Sequence, residues 1–158
     1  VEINKQKHGV DHFRYALSLR EYAKPLSRMG RLDDAKQQIE KATSIITENY
    51  GAGHPYHGYM MNTHGDIYFR ADNYQKAMEY GDKTIANFSN NFGDQHPNLG
   101  RAYANQGKYA LHTEQFNLAD SLLTTSISIM EQHFNEGNPY LDEADSLLKV
   151  VSEKLSTK

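Results

Sequence analysis

The chain has 158 residues, 38% of them apolar, enough for one domain with a continuous core and too few for a scaffold plus a catalytic domain. It has no cysteine, which removes thiolate nucleophiles, disulfides and cysteine-bound zinc together. Its 17 basic and 20 acidic side chains leave a net charge of −3, too balanced for general nucleic-acid affinity, and no apolar run approaches the roughly 20 residues of a membrane helix.

Laid on itself at an interval of 42 residues, the sequence shows one pattern in phase. Its copies are Tyr50-Gly51-Ala52-Gly53-His54-Pro55, Phe92-Gly93-Asp94-Gln95-His96-Pro97 and Phe134-Asn135-Glu136-Gly137-Asn138-Pro139, with a degenerate one at His8-Gly9-Val10-Asp11-His12-Phe13. A fixed period of this length marks a stacked array whose units bury their apolar faces on each other. Val1 to His8 align with Thr43 to Tyr50, the latter half of a helix, so the chain opens in mid-repeat and reads as a fragment of a longer protein. The amino end, Val1-Glu2-Ile3-Asn4-Lys5, has no signal-peptide layout, and with the lack of cysteine this gives the expectation of a cytoplasmic location.

Residues 1–13 are assigned to the end of a preceding repeat helix and its turn, followed by units at 14–55, 56–97 and 98–139 and a last helix over 140–158. Within the units, stripes at spacings of three and four predict first helices over 14–29, 56–71 and 98–113 and second helices over 33–49, 75–91 and 117–133. Small residues recur where two helices must touch: Ala23, Gly65 and Gly107, then Ala35, Ala77 and Ala119. Arg31, Asn73 and Gln115 fall in the short turns between paired helices. Pro25 lies inside the first helix, where loss of a hydrogen bond costs about 3 kcal/mol and a kink or broken turn is expected. Between units, Gly51 and Gly93 are expected to take the left-handed conformation that ends a helix, and Pro55 and Pro97 suit a first helical position. His54 and His96 then read as turn residues rather than ligands.

The order of large, small and aromatic residues, carried best by Met61, Gly65, Tyr68 and Ala77, resembles the tetratricopeptide repeat. The 42-residue period with a His-Pro join is similar to the longer variant of kinesin light chains and of many bacterial signalling or protease-associated proteins. The resemblance implies an all-α fold, an α-solenoid of antiparallel helix hairpins forming a tetratricopeptide superhelix, with three repeats plus a capping helix. Against that pattern, Gly81 and Ala110 stand where larger residues are usual, so a gap is expected there, or filling by neighbours such as Tyr80 and Tyr109. In the last copy Lys149 replaces the small contact residue, and the stripe Leu141, Ala144, Leu148, Val151 and Leu155 reads as a capping helix with one wet side.

In such arrays the first helices line a concave groove. Transferred to this chain, the inner stripe is Leu17, Arg20, Lys24, Ser27 and Arg28; then Tyr59, Asn62, Asp66, Phe69 and Arg70; then Arg101, Ala104, Lys108, Leu111 and His112. Six positive side chains stand against one negative, and the rest of the chain is correspondingly acidic. A basic trough on an acidic body steers acidic partners. Tyr59, Phe69 and Leu111 are taken as apolar anchors without a packing duty in the repeat. Asn62 corresponds to an asparagine that many repeats of this family use to hold the backbone of a peptide, whereas Arg20 and Ala104 occupy the equivalent places.

Other chemistry finds no support. His54, His57 and His64 lack a carboxylate at ligand spacing, and there is no glycine-rich phosphate loop, nucleophile elbow or carboxylate pair in an apolar surround, so no catalytic, metal or cofactor site is assigned. Asn87-Phe88-Ser89 fits the glycosylation triplet but lies in a predicted helix. Asp142, Glu143 and Asp145 complement a helix dipole and need no partner. The expected function is a non-catalytic protein-interaction module that binds an acidic peptide or partner segment, with neither nucleic acid nor membrane insertion. The alternative is a regulatory or assembly segment of a larger enzyme, a protease or signalling kinase. Self-association through the unfinished end at Val1 is a third expectation.

Overall fold

The computed structural model describes residues 10–157, which form seven helices and no strand. In chain order these are α1 (Val10–Arg28), α2 (Leu32–Tyr50), α3 (Pro55–Arg70), α4 (Tyr74–Phe92), α5 (Pro97–His112), α6 (Phe116–Met130) and α7 (Pro139–Ser156). Consecutive helices pack as hairpins, α1 with α2, α3 with α4 and α5 with α6, and the hairpins stack through α2 on α3 and α4 on α5, with α7 laid on α6. The half-helix expected over Val1 to His8, and the open end at Val1, lie outside the described residues.

Two kinds of joint repeat in phase. Between hairpins, His54, His96 and Asn138 are N-caps whose side chains accept from the backbone N–H of Tyr56, Asn98 and Tyr140 at 3.2, 3.1 and 3.0 Å, each just before a proline that opens the helix. The histidines read as turn residues are therefore caps, and each must keep Nδ1 unprotonated to accept. Gly51 and Gly93 have φ of 83° and 80° but ψ of 159° and 172°, an extended region open only to glycine instead of the expected left-handed helical one. The left-handed closure stands within each hairpin, at Gly30, Asp72 and Glu114, with φ of 77°, 55° and 58°. There the N–H of Arg31, Asn73 and Gln115 reaches back five residues to the carbonyls of Leu26, Tyr68 and Ala110, as in a Schellman turn.

Two further expectations are corrected. α1 runs unbroken through Pro25, and the Met29 N–H donates to the Pro25 carbonyl at 3.0 Å. Pro25 and Glu21, whose carbonyl the proline leaves without a helix donor, are both exposed, so water satisfies the lost bond. α6 ends at Met130, three residues early, and the chain turns before Asn138. The asparagine of the glycosylation triplet, Asn87, is buried and donates to the carbonyls of Ala52 and His54 at 3.3 and 3.1 Å, tying α4 to the preceding joint.

The first hairpin is filled by its own residues: Leu19, Ala23 and Leu26 pack on Ala35, Ile39, Ala42 and Ile46, all buried. The middle hairpin has Gly65 and Ala77 at the small contact positions and Gly81 where the first hairpin has Ile39, and it is filled from outside. A Cβ on Gly81 would lie 1.7 Å from Gln106 Oε1, and one on Gly65 3.1 Å from the Tyr109 hydroxyl. The anticipated gap is thus occupied by Gln106 and Tyr109 of α5. Gln106 Nε2 donates to the Met78 carbonyl at 3.2 Å and to Asp82 Oδ1 at 2.7 Å, while its Oε1 has no partner. Tyr80 stacks between His64 and Tyr68 instead, with centroids at 4.6 and 5.4 Å. Ala110 leaves no void, being wholly buried in a cluster with Ala119, Leu123 and Met130. In α7, Leu141, Ala144 and Val151 are buried while Tyr140 and Val150 are exposed.

His64 is 4% exposed and meets Thr43 Oγ1 at 3.1 Å. The Thr43 hydroxyl donates its proton to the Ile39 carbonyl at 2.7 Å, so Nε2 of the ring is the donor to the oxygen. Burial, with smaller contributions from His57 and Lys83, lowers the His64 pKa to about 4. The unfolded chain takes up a proton below about 6.5 while the folded one resists until about 4, so stability is lost as pH falls through that window. Urea unfolding should show a loss approaching about 3 kcal/mol from this group, and His64→Gln should flatten the dependence. Parallel pH profiles of wild type and variant would contradict the assignment.

The Tyr109 hydroxyl donates to Asp66 Oδ1 at 3.0 Å, and its ring is 1% exposed. Tyr109→Phe keeps the wedge and loses one hydrogen bond to a carboxylate, an expected cost of about 1.5–3 kcal/mol. Tyr109→Ala empties the space over Gly65 and should cost about 3–5 kcal/mol. Equal losses in chemical denaturation would show that the ring does not carry the packing.

Candidate functional site

The inward faces of the first helices, completed by α7, enclose a trough of about 370 Å³. From α1 come Arg20, Lys24, Ser27 and Arg28; from α3, Asn62, Thr63, Asp66, Ile67 and Arg70; from α5, Arg101, Ala104, Asn105 and Lys108; and from α7, Tyr140 and Glu143. Eight of the twelve expected site residues line it: Arg20, Lys24, Arg28, Asn62, Asp66, Arg70, Arg101 and Lys108. The helical spacing of three to four residues brings them there, because it keeps one face of each first helix turned inward.

Tyr59, Phe69, Leu111 and His112 do not line the trough. Tyr59 packs on Phe88 and Tyr56 at 4.9 and 5.5 Å and bonds through its hydroxyl to Asn98. Phe69 lies against Tyr74, Tyr109 and His112 at 5.5, 5.3 and 4.8 Å, so His112 is also engaged. Leu111 packs on the cluster around Ala110 and Leu123. These side chains do have a packing duty: Tyr59 and Phe69 also reach α5 of the next hairpin, and Leu111 packs on the α5–α6 core. The trough is left with polar walls and only Ile67, Ala104 and Tyr140 as apolar contributors.

Its cations are held in distinct ways. Arg20 Nε donates to Thr63 Oγ1 at 3.0 Å and to the Tyr59 carbonyl at 3.2 Å, its guanidinium meets Glu21 at 2.8 Å, and burial draws its pKa down against the pull of Glu21. Lys24 also meets Glu21, at 2.7 Å. Lys108 pairs with Glu143 at 2.9 Å, so this carboxylate, expected only to complement a dipole, has a partner across the trough. The Arg101 guanidinium lies 3.8 Å from the centroid of the Tyr140 ring. Arg28 and Arg70 form no ion pair among the described residues. Asp66 is open to the water of the trough, yet the protein crowding it raises its pKa, opposed by the Tyr109 hydrogen bond and by Lys108, Arg70 and Arg20. Its exposed area and three cationic neighbours favour the ionised form, and we treat it as charged. Six cations therefore face two carboxylates, a smaller surplus than the stripe implied.

Asn105 Nδ2 donates to Asn62 Oδ1 at 3.0 Å, fixing the amide of Asn62. Sequence reasoning missed Asn105, Thr63, Tyr140 and Glu143. Thr63 and Asn105 are 42 residues apart, beside the stripe that was followed, and Glu143 lies 42 beyond Arg101, so extending the same period into α7 finds it. Among the described residues no three metal-ligating side chains cluster, and no helix is long and apolar enough to cross a membrane. The arrangement suits holding anions and offers no activated nucleophile.

The tetratricopeptide repeat family matches residues 14–90 and 58–132. No curated protein sequence matches the chain. Among solved structures, BtubC (BKLC) from P. vanneervenii is similar with a TM-score of 0.79 and 21% identity over 89% of this chain and 56% of that one. The chain thus spans little more than half the length of BtubC. A putative kinesin light chain from Podosopora anserina, described by its nearly identical TPR-like repeats, gives 0.75 and 17% over 96% and 79%. The first tetratricopeptide unit of Spaghetti (RPAP3), solved with the HSP90 peptide SRMEEVD, gives 0.65 and 17% over 90% and 94%. At these identities the likeness establishes the fold. Repeats of this kind are generally non-catalytic modules for protein interaction. Period, helix pairing and family match agree: the chain belongs to the tetratricopeptide repeat family, with the kinesin-light-chain-like form of the fold.

Proposed function

We propose that the chain is a non-catalytic interaction module, acting in the cytoplasm, whose trough takes an acidic peptide or an acidic segment of a partner. The observation that carries this reading is the cationic surplus on one inward face of a chain whose net charge is −3. A positive hollow on a negative body favours encounter with a short acidic segment and disfavours a nucleic-acid duplex, which would meet the acidic remainder. The similarity to a unit solved with SRMEEVD, a peptide with two glutamates and one aspartate, supports the same choice. The reading applies whether the segment belongs to another protein or to the same polypeptide.

With Tyr59, Phe69 and Leu111 committed to packing, affinity rests on charge and on the Asn62–Asn105 amides. Exposed ion pairs contribute about 0–1 kcal/mol each, so several together give dissociation constants on the order of micromolar, sensitive to salt. Calorimetric titration of an Asp/Glu-rich peptide should show saturable binding that weakens as salt is raised. Reversing Arg101 and Lys108 to Glu together should lower affinity at least about tenfold, while Lys154→Glu, on the exposed side of α7, should leave it unchanged. Absence of saturable binding, or indifference to the double reversal, would rule the proposal out.

A further inference from the structure

We infer that the trough is divided, and that its α1–α3 end, built from Lys24, Ser27, Arg28 and Arg70, is a subsite for a phosphomonoester carried on the bound segment. The inference rests on the acidic-segment reading and specifies what that segment carries. It begins with an uneven distribution of charge. Toward α7 the protein supplies its own counterparts: Glu143 meets Lys108, and Tyr140 covers Arg101. Arg20 is committed to Thr63, the Tyr59 carbonyl and Glu21. At the other end Arg28 and Arg70 form no ion pair among the described residues, and Lys24 meets only Glu21, whose side chain is 58% exposed. Asp66 lies near Arg70 and offsets part of its charge, so the surplus at that end is carried chiefly by Lys24 and Arg28, with Arg70 shared with Asp66.

Ser27 is the independent observation. It lines the trough between Lys24 and Arg28, is 5% exposed, and its hydroxyl has no hydrogen-bond partner. Several helical hydroxyls donate to the carbonyl four residues earlier, among them Thr43 to Ile39, Thr63 to Tyr59, Thr84 to Tyr80, Ser146 to Asp142 and Ser152 to Leu148, while Ser44, Ser89 and Ser126 donate to Glu48, Asp94 and the Gly100 carbonyl. Ser27 makes no such bond. A buried, unpartnered donor is unfavourable, and a serine hydroxyl has other staggered positions in which to meet an acceptor that a ligand brings. Arg28 and Arg70 stand in the last turns of α1 and α3, where each complements a helix dipole. That accounts for the two charges and leaves the orphan hydroxyl beside them unexplained.

The donor set selects the ligand. Two guanidinium forks, one ammonium and one hydroxyl exceed what the two oxygens of a single carboxylate accept. A phosphomonoester brings three acceptor oxygens and close to two negative charges, and paired arginines suit it.

The test is an acidic peptide series with serine at successive positions, phosphorylated one at a time and titrated by calorimetry, alongside inorganic phosphate followed by amide shifts in NMR. One phosphopeptide should bind at least about tenfold more tightly than its serine counterpart. Arg28→Gln with Arg70→Gln should bring that ratio close to one, and Ser27→Ala should reduce it severalfold, whatever either does to each peptide alone. Inorganic phosphate should shift amides around Ser27 and Arg70. If the serine peptides bind and no phosphorylated position gains, or if the gain survives the arginine substitutions, the subsite is refuted while the acidic-segment reading stands. If phosphate shifts those amides and no peptide binds, the subsite stands with free phosphate as its source and the segment reading falls.

Discussion

The ring of Tyr109, seated over Gly65 with its hydroxyl on Asp66, is the contact on which the middle of this array depends. The α3–α4 hairpin has Gly65 at a contact position and Gly81 where a larger residue is usual, which leaves space that its two helices do not fill themselves. The space is taken by α5, through Tyr109 over Gly65 and Gln106 over Gly81. Burial, and then the charge of Asp66, raise the Tyr109 pKa well above the usual phenol range, so the hydroxyl stays protonated and remains a donor. One side chain thus fills the core on one side and holds the carboxylate of the trough floor on the other.

Coupling between neighbouring units follows from that arrangement. Each hairpin in an ordinary repeat contributes its own packing plus an interface term. Here part of what would be internal packing has moved into the interface, because the bulk that fills α3–α4 belongs to the next unit. The bond of the Tyr59 hydroxyl with Asn98 and the contacts of Phe69 with Tyr109 and His112 add to it. These interlocking residues fix how the first helices line up, and the line-up brings six cations from three helices to one hollow. Rigidity matters for such a site, since long basic side chains gain little from a partner unless the backbone beneath them is already placed.

Much of this was legible in the sequence, and the exceptions have physical reasons. The 42-residue period and the helix pairs follow from spacing, and the inward position of Arg20, Lys24, Arg28, Asn62, Asp66, Arg70, Arg101 and Lys108 follows from the family resemblance, which says which face of each first helix turns inward. Tyr59, Phe69 and Leu111 share that spacing yet pack against neighbouring helices: a side chain near the edge of a stripe is decided by what lies across from it, which one helix's periodicity does not contain. The left-handed turns at Asp72 and Glu114 were hidden because neither residue advertises a positive φ, whereas Gly51 and Gly93 drew attention to a joint with different torsions. The cap role of His54 and His96 was missed because histidine is an uncommon acceptor there, although Asn138 in the same phase is a common one. Glu143 was assigned to a helix dipole because the inward stripe, unlike the contact positions, was not carried into α7.

The central claim is that partners are received by the inward face of the first helices and not by the outer second helices. Assigning the amide spectrum and titrating an Asp/Glu-rich peptide tests this most directly. Shifts concentrated in α1, α3 and α5 around Arg20, Asn62, Asp66 and Lys108, with α2, α4 and α6 little changed on their outer faces, are the predicted result. Shifts centred on the outer faces of α2, α4 and α6, with the trough silent, would contradict the account even though the solenoid itself remained intact.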